Sequence, residues 1–152
     1  MPGVQVLPVG QAPMIVIDEI EGDFQVTGWD RPELQVRGVK ADEVSRRSNS
    51  DEIHLSASRN CSLQTPLQTS LRVGQVQGNA AINLLLGAVV VEDVDGNFAA
   101  NSTGPLTLGK MDGNISVRSV AGGLTTQDID GNARIAQIAG DLNLGNVDGN
   151  LV

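Results

Sequence analysis

Aromatic residues are nearly absent from this chain. Its 152 residues include one Trp, two Phe and no Tyr. Binding pockets and adaptable recognition loops usually depend on aromatic side chains, so their scarcity argues against both kinds of site. The single cysteine, Cys61, excludes an internal disulfide framework, and the apolar strand pattern beside it predicts a buried thiol. The core must therefore be aliphatic.

Positive charge is scarce as well. Ten Lys and Arg stand against 18 Asp and Glu, a net charge of −8. Without a basic patch to neutralise phosphates, binding to nucleic acid or to an anionic membrane is disfavoured. The most apolar segment, "INLLLGAVVV", is too short for a membrane span. The first residues lack the basic head and the continuous apolar run of a secretory signal. We therefore expect a cytoplasmic protein as written, with a cell-surface location open if the chain is part of a longer exported protein.

Glycine, in contrast, is abundant and periodic. From residue 78 onward it recurs every nine residues with one step of eight, at positions 78, 87, 96, 104, 113, 122, 131, 140 and 149. The phrase Asp-Gly-Asn returns at 95–97, 112–114, 130–132 and 148–150. Asp-Gly favours tight turns because glycine accepts a positive φ and Asp tolerates one. The pattern predicts a repeated turn with a left-handed glycine.

The residues between the glycines predict short strands. Positions two and four after each glycine are apolar in nearly every repeat, as at Ile115 and Val117. The next apolar position comes seven after the glycine rather than six, as at Val120, and the skipped pair, Arg118 and Ser119, is polar. This break in the alternation predicts a bend inside every repeat. It favours a coiled β-solenoid over a hairpin meander, which is the alternative.

Alternate repeats differ, and this difference sets the predicted size of a coil. Asp precedes the glycine in every second repeat, whereas Thr103, Ala121 and Ala139 occupy that position in the repeats between. Nine residues therefore form half a coil and eighteen a full coil, and the crossover rule favours right-handed winding. We expect an all-β fold: a right-handed parallel β-solenoid with ~9-residue half-coils and an irregular β N-terminal cap. A three-sided coil is also compatible with eighteen residues.

The chain is predicted to be one continuous domain with two regions. Residues 1–65 form an N-terminal β cap region with a polar loop near 40–52, and residues 66–152 form the regular solenoid. The open ends of a solenoid expose unpaired backbone groups, so the N-terminal region is expected to cover one end. The other end stops partway through a repeat, which predicts a homo-oligomer formed by end or edge stacking. The expected interface residues are Leu142, Leu144, Asn150, Leu151 and Val152.

Three segments of the sequence point to a known family. The passages "GDFQVTGWDRPELQVRG" and "SLQTPLQTSLRVGQVQGN", followed by iterated "xGNLxL" units, resemble the bacterial putative-adhesin domains of β-helical type. The resemblance runs from about Ile15 to Val152. It implies a β-helical fold with a "G-W-x-x-P-x-V-x-V" segment before glycine-ended repeats. The family is largely of unknown function and supplies no catalytic residues to transfer.

The first functional hypothesis is a non-enzymatic structural or interaction module, adhesin-like and without a cofactor. The alternative is a calcium- or glycan-binding adhesive module. Like charges stacked at the strand spacing repel each other, and a divalent cation would relieve that repulsion. The competing interpretation is that Asp and Asn satisfy turn backbone groups and that Asn side chains form a hydrogen-bonded ladder. The residues of the calcium hypothesis are Asp95, Asp112, Asp130 and Asp148.

A polysaccharide-active enzyme is the third hypothesis. Its acid and base would come from the acidic cluster Asp18, Glu19, Glu21 and Asp23. His54, the one histidine, lies at an outward position between Ile53 and Leu55 and is predicted to be a surface residue rather than a catalytic base. The outward Thr, Ser, Asn and Arg side chains of the solenoid form a flat face that would suit a polymer.

Overall fold

The computed structural model describes residues 4–8, 14–31, 33–37, 44–46, 52–57 and 60–150. Within these ranges the fold is all-β, with 17 strands and no helix, and hence none with the length and apolar character needed to cross a membrane. The strands are β1 (Val4–Pro8), β2 (Met14–Ile20), β3 (Phe24–Trp29), β4 (Glu33–Arg37), β5 (Val44–Arg46), β6 (Glu52–Ala57), β7 (Cys61–Pro66), β8 (Ser70–Val76), β9 (Ala80–Leu85), β10 (Val89–Val94), β11 (Phe98–Thr103), β12 (Leu106–Met111), β13 (Ile115–Val120), β14 (Leu124–Ile129), β15 (Ala133–Ile138), β16 (Leu142–Asn143) and β17 (Asn146–Val147).

The strands form two open sheets. Sheet A has the order β1-β4-β7-β3-β9-β11-β13-β15. Sheet B has the order β5-β6-β2-β8-β10-β12-β14-β16, with β17 also paired to β14. From β8 to β16, consecutive strands alternate between the two sheets, and each strand from β8 to β14 pairs in parallel with the strand two places along the chain. This arrangement excludes the hairpin meander, in which neighbouring strands would be antiparallel.

The register of the parallel strands follows the repeat. Phe98 pairs with Ile115, 17 residues later, and Ile115 pairs with Ala133, 18 residues later. The shorter interval arises because the turn at 104–105 has two residues, whereas the turns at 112–114 and 121–123 have three. The handedness of the winding and the size of a complete coil stay predictions.

The interior is aliphatic, and the predicted break in alternation is confirmed by the burial of the strands. In β13 the buried residues are Ile115, Val117 and Val120, the first, third and sixth of the strand. The two-residue turn at 104–105 changes where the buried residue lies relative to the following glycine. The residue two before Gly104 is Ser102, but Thr103 is the buried residue, 1% exposed and paired with Val120. The shorter turn places Gly104 directly after the strand, while the residues of the strand keep their register with the neighbouring strand.

The N-terminal strands combine two roles. Among the described strands, only β1, β4 and β5 pair exclusively antiparallel, and they lie at one end of the sheets. The cap region stays a prediction. In contrast, β2, β3, β6 and β7 belong to the parallel sheets, and β3 lies between β7 and β9. Phe24 is consequently part of the central core, 2% exposed. Most of the loop predicted near 40–52 lies outside the described residues, and its described part includes β5.

Candidate interaction surfaces

The Asp-Gly-Asn turns stack into one edge of the molecule, which we call the DGN edge (residues 95–97, 112–114, 130–132 and 148–150). Each of the first three joins a strand of sheet B to the next strand of sheet A. A Cβ atom on Gly113 would lie 2.5 Å from the carbonyl oxygen of Gly96, so no larger residue fits there. None of the four turn glycines has a left-handed φ. The predicted reason for the glycines was therefore wrong, because they are required by the close stacking of the turns.

A continuous row of hydrogen bonds runs along this edge. The Oδ1 atom of Asn97 accepts the backbone N–H of Asn114 at 2.9 Å, and Oδ1 of Asn114 accepts the N–H of Asn132 at 2.8 Å. The same contact links, in spatial order, Asn60, Asp23, Asn79, Asn97, Asn114, Asn132 and Asn150. We call these seven residues the asparagine ladder. The ladder predicted from the sequence is present, and it joins side chains to backbone.

The aspartates of the calcium hypothesis lie beside the ladder, in successive turns. Asp95, Asp112, Asp130 and Asp148 are all exposed at the DGN edge. Among the described residues, no group of three or more His, Cys, Asp and Glu side chains is arranged to hold a metal ion. The geometry therefore supports the structural interpretation of the edge and gives no support to the calcium hypothesis, which stays a prediction.

The carboxyl group of Asp93 has a raised pKa. Burial raises the pKa of Asp93, and the nearby charges of Asp95 and Asp112 raise it further, whereas Lys110 lowers it. Its Oδ1 atom is buried and has no hydrogen-bond partner. The ionised form of Asp93 is therefore disfavoured in the folded protein, next to the most acidic edge of the molecule.

Two of the four carboxylates considered for an enzyme bond the turn between β8 and β9. Glu19 accepts a hydrogen bond from Nε2 of Gln77 at 2.9 Å, and Asp23 occupies one place in the asparagine ladder. His54 is partly buried, and its Nε2 atom lies 3.3 Å from Oε2 of Glu52. Cys61 is buried, as the sequence predicted. Glu19 and Asp23 thus join neighbouring coils of the chain through their side chains.

Charge is divided between the two sheets. No Asp or Glu occurs in β7, β3, β9, β11, β13 or β15, the six adjacent strands of sheet A. The six corresponding strands of sheet B carry Asp18, Glu19, Glu52, Glu92, Asp93 and Asp128. The outward surface of those six strands of sheet A, which we call face A, is thus free of acidic side chains in a protein of net charge −8. This division was not predicted from the sequence, although a comparison of the charged residues in alternate nine-residue repeats would have revealed it.

Face A carries a row of polar side chains aligned across its strands. Register pairs connect Gln64 with Thr27, Thr27 with Asn83, Asn83 with Asn101, and Asn101 with Arg118. We call these five residues the polar row. Arg134 lies on the next strand, paired with Ser116. Neither Arg118 nor Arg134 has an ion-pair partner among the described residues, whereas Arg72 of sheet B lies 3.3 Å from Glu92.

Two open hollows of about 400 Å³ lie at the two ends of the asparagine ladder. One is lined by Asp23, Gln25, Arg37 and Asn60, among others. The other includes Asn114, Ser116, Asn132, Arg134 and Asn150 in its lining. Each hollow is therefore lined by side-chain amide groups and by one arginine. The second hollow adjoins face A.

Leu142, Leu144 and Asn150, three of the five predicted self-association residues, lie at the end of the sheets opposite the antiparallel strands. There β15 pairs only with β13, and β16 and β17 pair only with β14. Leu142, placed at an inward position by the repeat, is 47% exposed, because no further strand covers β16. Leu144 is partly buried and Asn150 is exposed. Leu151 and Val152 lie outside the described residues.

Comparison with known proteins adds little to this description. No family model and no curated protein matches the chain. Among solved structures, the chain is similar to one named "putative cell adhesion protein" from Clostridium sporogenes, with a TM-score of 0.45 and 7% sequence identity. The alignment covers 96% of this chain and 100% of the other. At this level of similarity the name of that protein carries no argument about this one.

Proposed function

We propose that this chain is a non-enzymatic β-solenoid module that presents a structural or interaction surface and associates with itself. The winding is right-handed, with about 18 residues in a coil. The alternation of consecutive strands between two parallel sheets supports this architecture. A non-enzymatic role is supported by Glu19 and Asp23, two of the four candidate acids, because their side chains bond neighbouring strands.

The observation that carries self-association is the pair of sheet edges at one end. The edge strands β15 and β16, with β17, each have one neighbouring strand among the described residues. Such edges present unpaired N–H and C=O groups that pair readily with another strand. A partner must offer two β edges about 10 Å apart, the spacing of packed sheets. A second copy of the same chain offers this arrangement.

The exposed Leu142 gives a direct test with a matched control. We expect the wild-type chain to sediment as a dimer or larger species at tens of micromolar, and Leu142→Lys to sediment as a monomer. Leu84 is equally exposed, at 46% against 47% for Leu142, but lies in β9 within sheet A. Leu84→Lys should therefore leave the sedimentation coefficient unchanged. A monomeric wild-type chain at this concentration would contradict the proposal.

A glycan-binding adhesive role is the second candidate. The specific observation that favours it is face A, which combines hydrogen-bonding side chains with unpaired arginines and has no acidic residue in its six strands. The DGN edge lacks the cation cluster that a calcium-dependent adhesive site would need within the described residues. Any adhesive contact is therefore assigned to face A.

A further inference from the structure

We propose that face A binds an extended polysaccharide bearing carboxylate groups, with the polar row as its contact surface and Arg118 and Arg134 as its anion contacts. This proposal deepens the second candidate function by naming the surface and the chemical class of ligand. The contacts of the polar row, which includes Arg118, do not depend on self-association, because its strands are already paired on both sides, whereas Arg134 lies on the edge strand β15.

The first argument is the distribution of charge. The protein has a net charge of −8, yet the six strands of face A contain two arginines and no acid. Acidic side chains of sheet B lie on the far side of two sheets packed about 10 Å apart. The exposed Asp95, Asp112, Asp130 and Asp148 lie along one edge of this face. At physiological ionic strength the Debye length is about 8 Å, so their repulsion is confined to that edge. An anionic polymer can therefore approach the middle of face A.

The second argument is the hydrogen-bonding character of the polar row. Gln, Asn and Thr side chains both donate and accept, as sugar hydroxyl groups do. Strands lie about 4.8 Å apart, so the five residues of the row span about 19 Å along the sheet. At the end of the row, Arg118 is next to the strand that carries Arg134. Guanidinium groups form the strongest and most directional contacts with carboxylates.

Other anionic or extended partners fit face A less well. Nucleic acid carries one charge per 1.7 Å of duplex, and single strands bind by stacking on aromatic side chains, which the polar row lacks. A peptide that adds a strand needs free backbone groups, but the strands from β7 to β13 are paired on both sides. The row offers side chains alone, and its hydrogen-bonding groups with the two arginines match the hydroxyl and carboxylate groups of an acidic polysaccharide.

The test is a titration of the 152-residue chain with polygalacturonate in EDTA, which removes any contribution of calcium. We expect polygalacturonate to bind and neutral dextran and oligo(dT) not to bind. Binding should weaken with added salt. The double variant Arg118→Gln/Arg134→Gln should weaken binding at least about tenfold, because each lost charged hydrogen bond is worth more than 1.4 kcal/mol. The control Arg72→Gln removes a paired arginine from sheet B and should bind like the wild type.

A further variant and a stability measurement separate this proposal from the others. Asn101→Glu places an acid in the middle of the polar row and should abolish binding while the melting temperature stays that of the wild type. Leu142→Lys should bind normally even if it is monomeric. The proposal is overturned if polygalacturonate does not bind, if dextran or oligo(dT) binds equally well, or if the double variant and Arg72→Gln behave alike.

Discussion

At the scale of single residues, Asp and Asn have different roles at the DGN edge, although the side chains of both could accept a backbone hydrogen bond. The residue after each glycine accepts a backbone N–H from the next turn, and Asn does this without adding charge. The residue before each glycine is exposed and carries the negative charge. Acids at both positions would double the charge in every stacked turn, where charges 4 Å apart in water repel by about 1 kcal/mol. Asp23 is the single acidic member of the ladder.

The ladder predicts a specific loss of stability. Asn114→Ala removes the acceptor of the Asn132 N–H, and we expect the free energy of unfolding to fall by about 0.5–1.5 kcal/mol in chemical denaturation. Asn114→Asp keeps the acceptor but adds a charge near Asp112 and Asp130, so its smaller loss should shrink with added salt. Asn101→Ala, an exposed asparagine outside the ladder, is the control and should change stability little. Equal losses at Asn101 and Asn114 would show that the ladder contributes nothing.

At the scale of the strand, the two sheets reach the same burial pattern by different backbone paths. The fifth residue of four sheet A strands has a left-handed backbone, with φ between 58° and 61°: Leu84, Ser102, Ser119 and Gln137. No residue described in sheet B does so. The spacing of apolar residues predicted the bend in every repeat. It did not predict the left-handed residues, because none is the Gly or Asn that favours this conformation locally. The stacked neighbours impose it.

This conformation makes the fifth position sensitive to side-chain branching. Ser102→Val should lower the free energy of unfolding by about 1 kcal/mol or more, because a β-branched residue is strained at positive φ. Asn101 lies one position earlier in the same strand, and its side chain is exposed. Asn101→Val should therefore change the free energy of unfolding by less than about 0.5 kcal/mol. Thermal and urea denaturation of the two variants provide the comparison. If both valines are tolerated equally, the left-handed conformation at Ser102 is incorrect.

At the scale of the whole molecule, the sequence predicts the regular part of the fold better than its beginning. From β8 to β14 each strand pairs with the one two places along, so a local repeat determines the contacts. In contrast, β3 pairs with both β7 and β9, so Phe24 lies beside Cys61 and Ala80. No periodicity connects these distant residues. The same contrast holds for the surfaces. The repeat predicted the DGN edge. It placed Leu142 at an inward position, and the exposure of Leu142 follows from its place on the edge strand β16.

The concentration of negative charge at one edge also predicts how stability depends on pH. The folded state raises the pKa of Asp93 through burial and through Asp95 and Asp112, so folded protein binds this proton more tightly than the unfolded chain. The contribution of Asp93 to stability is therefore most favourable below its unfolded pKa of 3.8 and declines as pH rises to the raised value. Above that window, the unfavourable ionised form is fully present.

Asp93→Asn removes this charge while retaining an oxygen at the buried Oδ1 position. We expect the variant to be more stable than the wild type at pH 7, by up to about 1 kcal/mol because the site is partly solvated. The difference should shrink towards zero below pH 3.8, where the wild-type carboxyl group is itself neutral. Asp141→Asn makes the same change in net charge at an exposed turn on the opposite edge. Melting curves of the three proteins from pH 3 to 8 check this. A stabilisation that is equal in both variants would assign the effect to overall charge, whereas one confined to Asp93→Asn assigns it to the crowded acids beside the DGN edge.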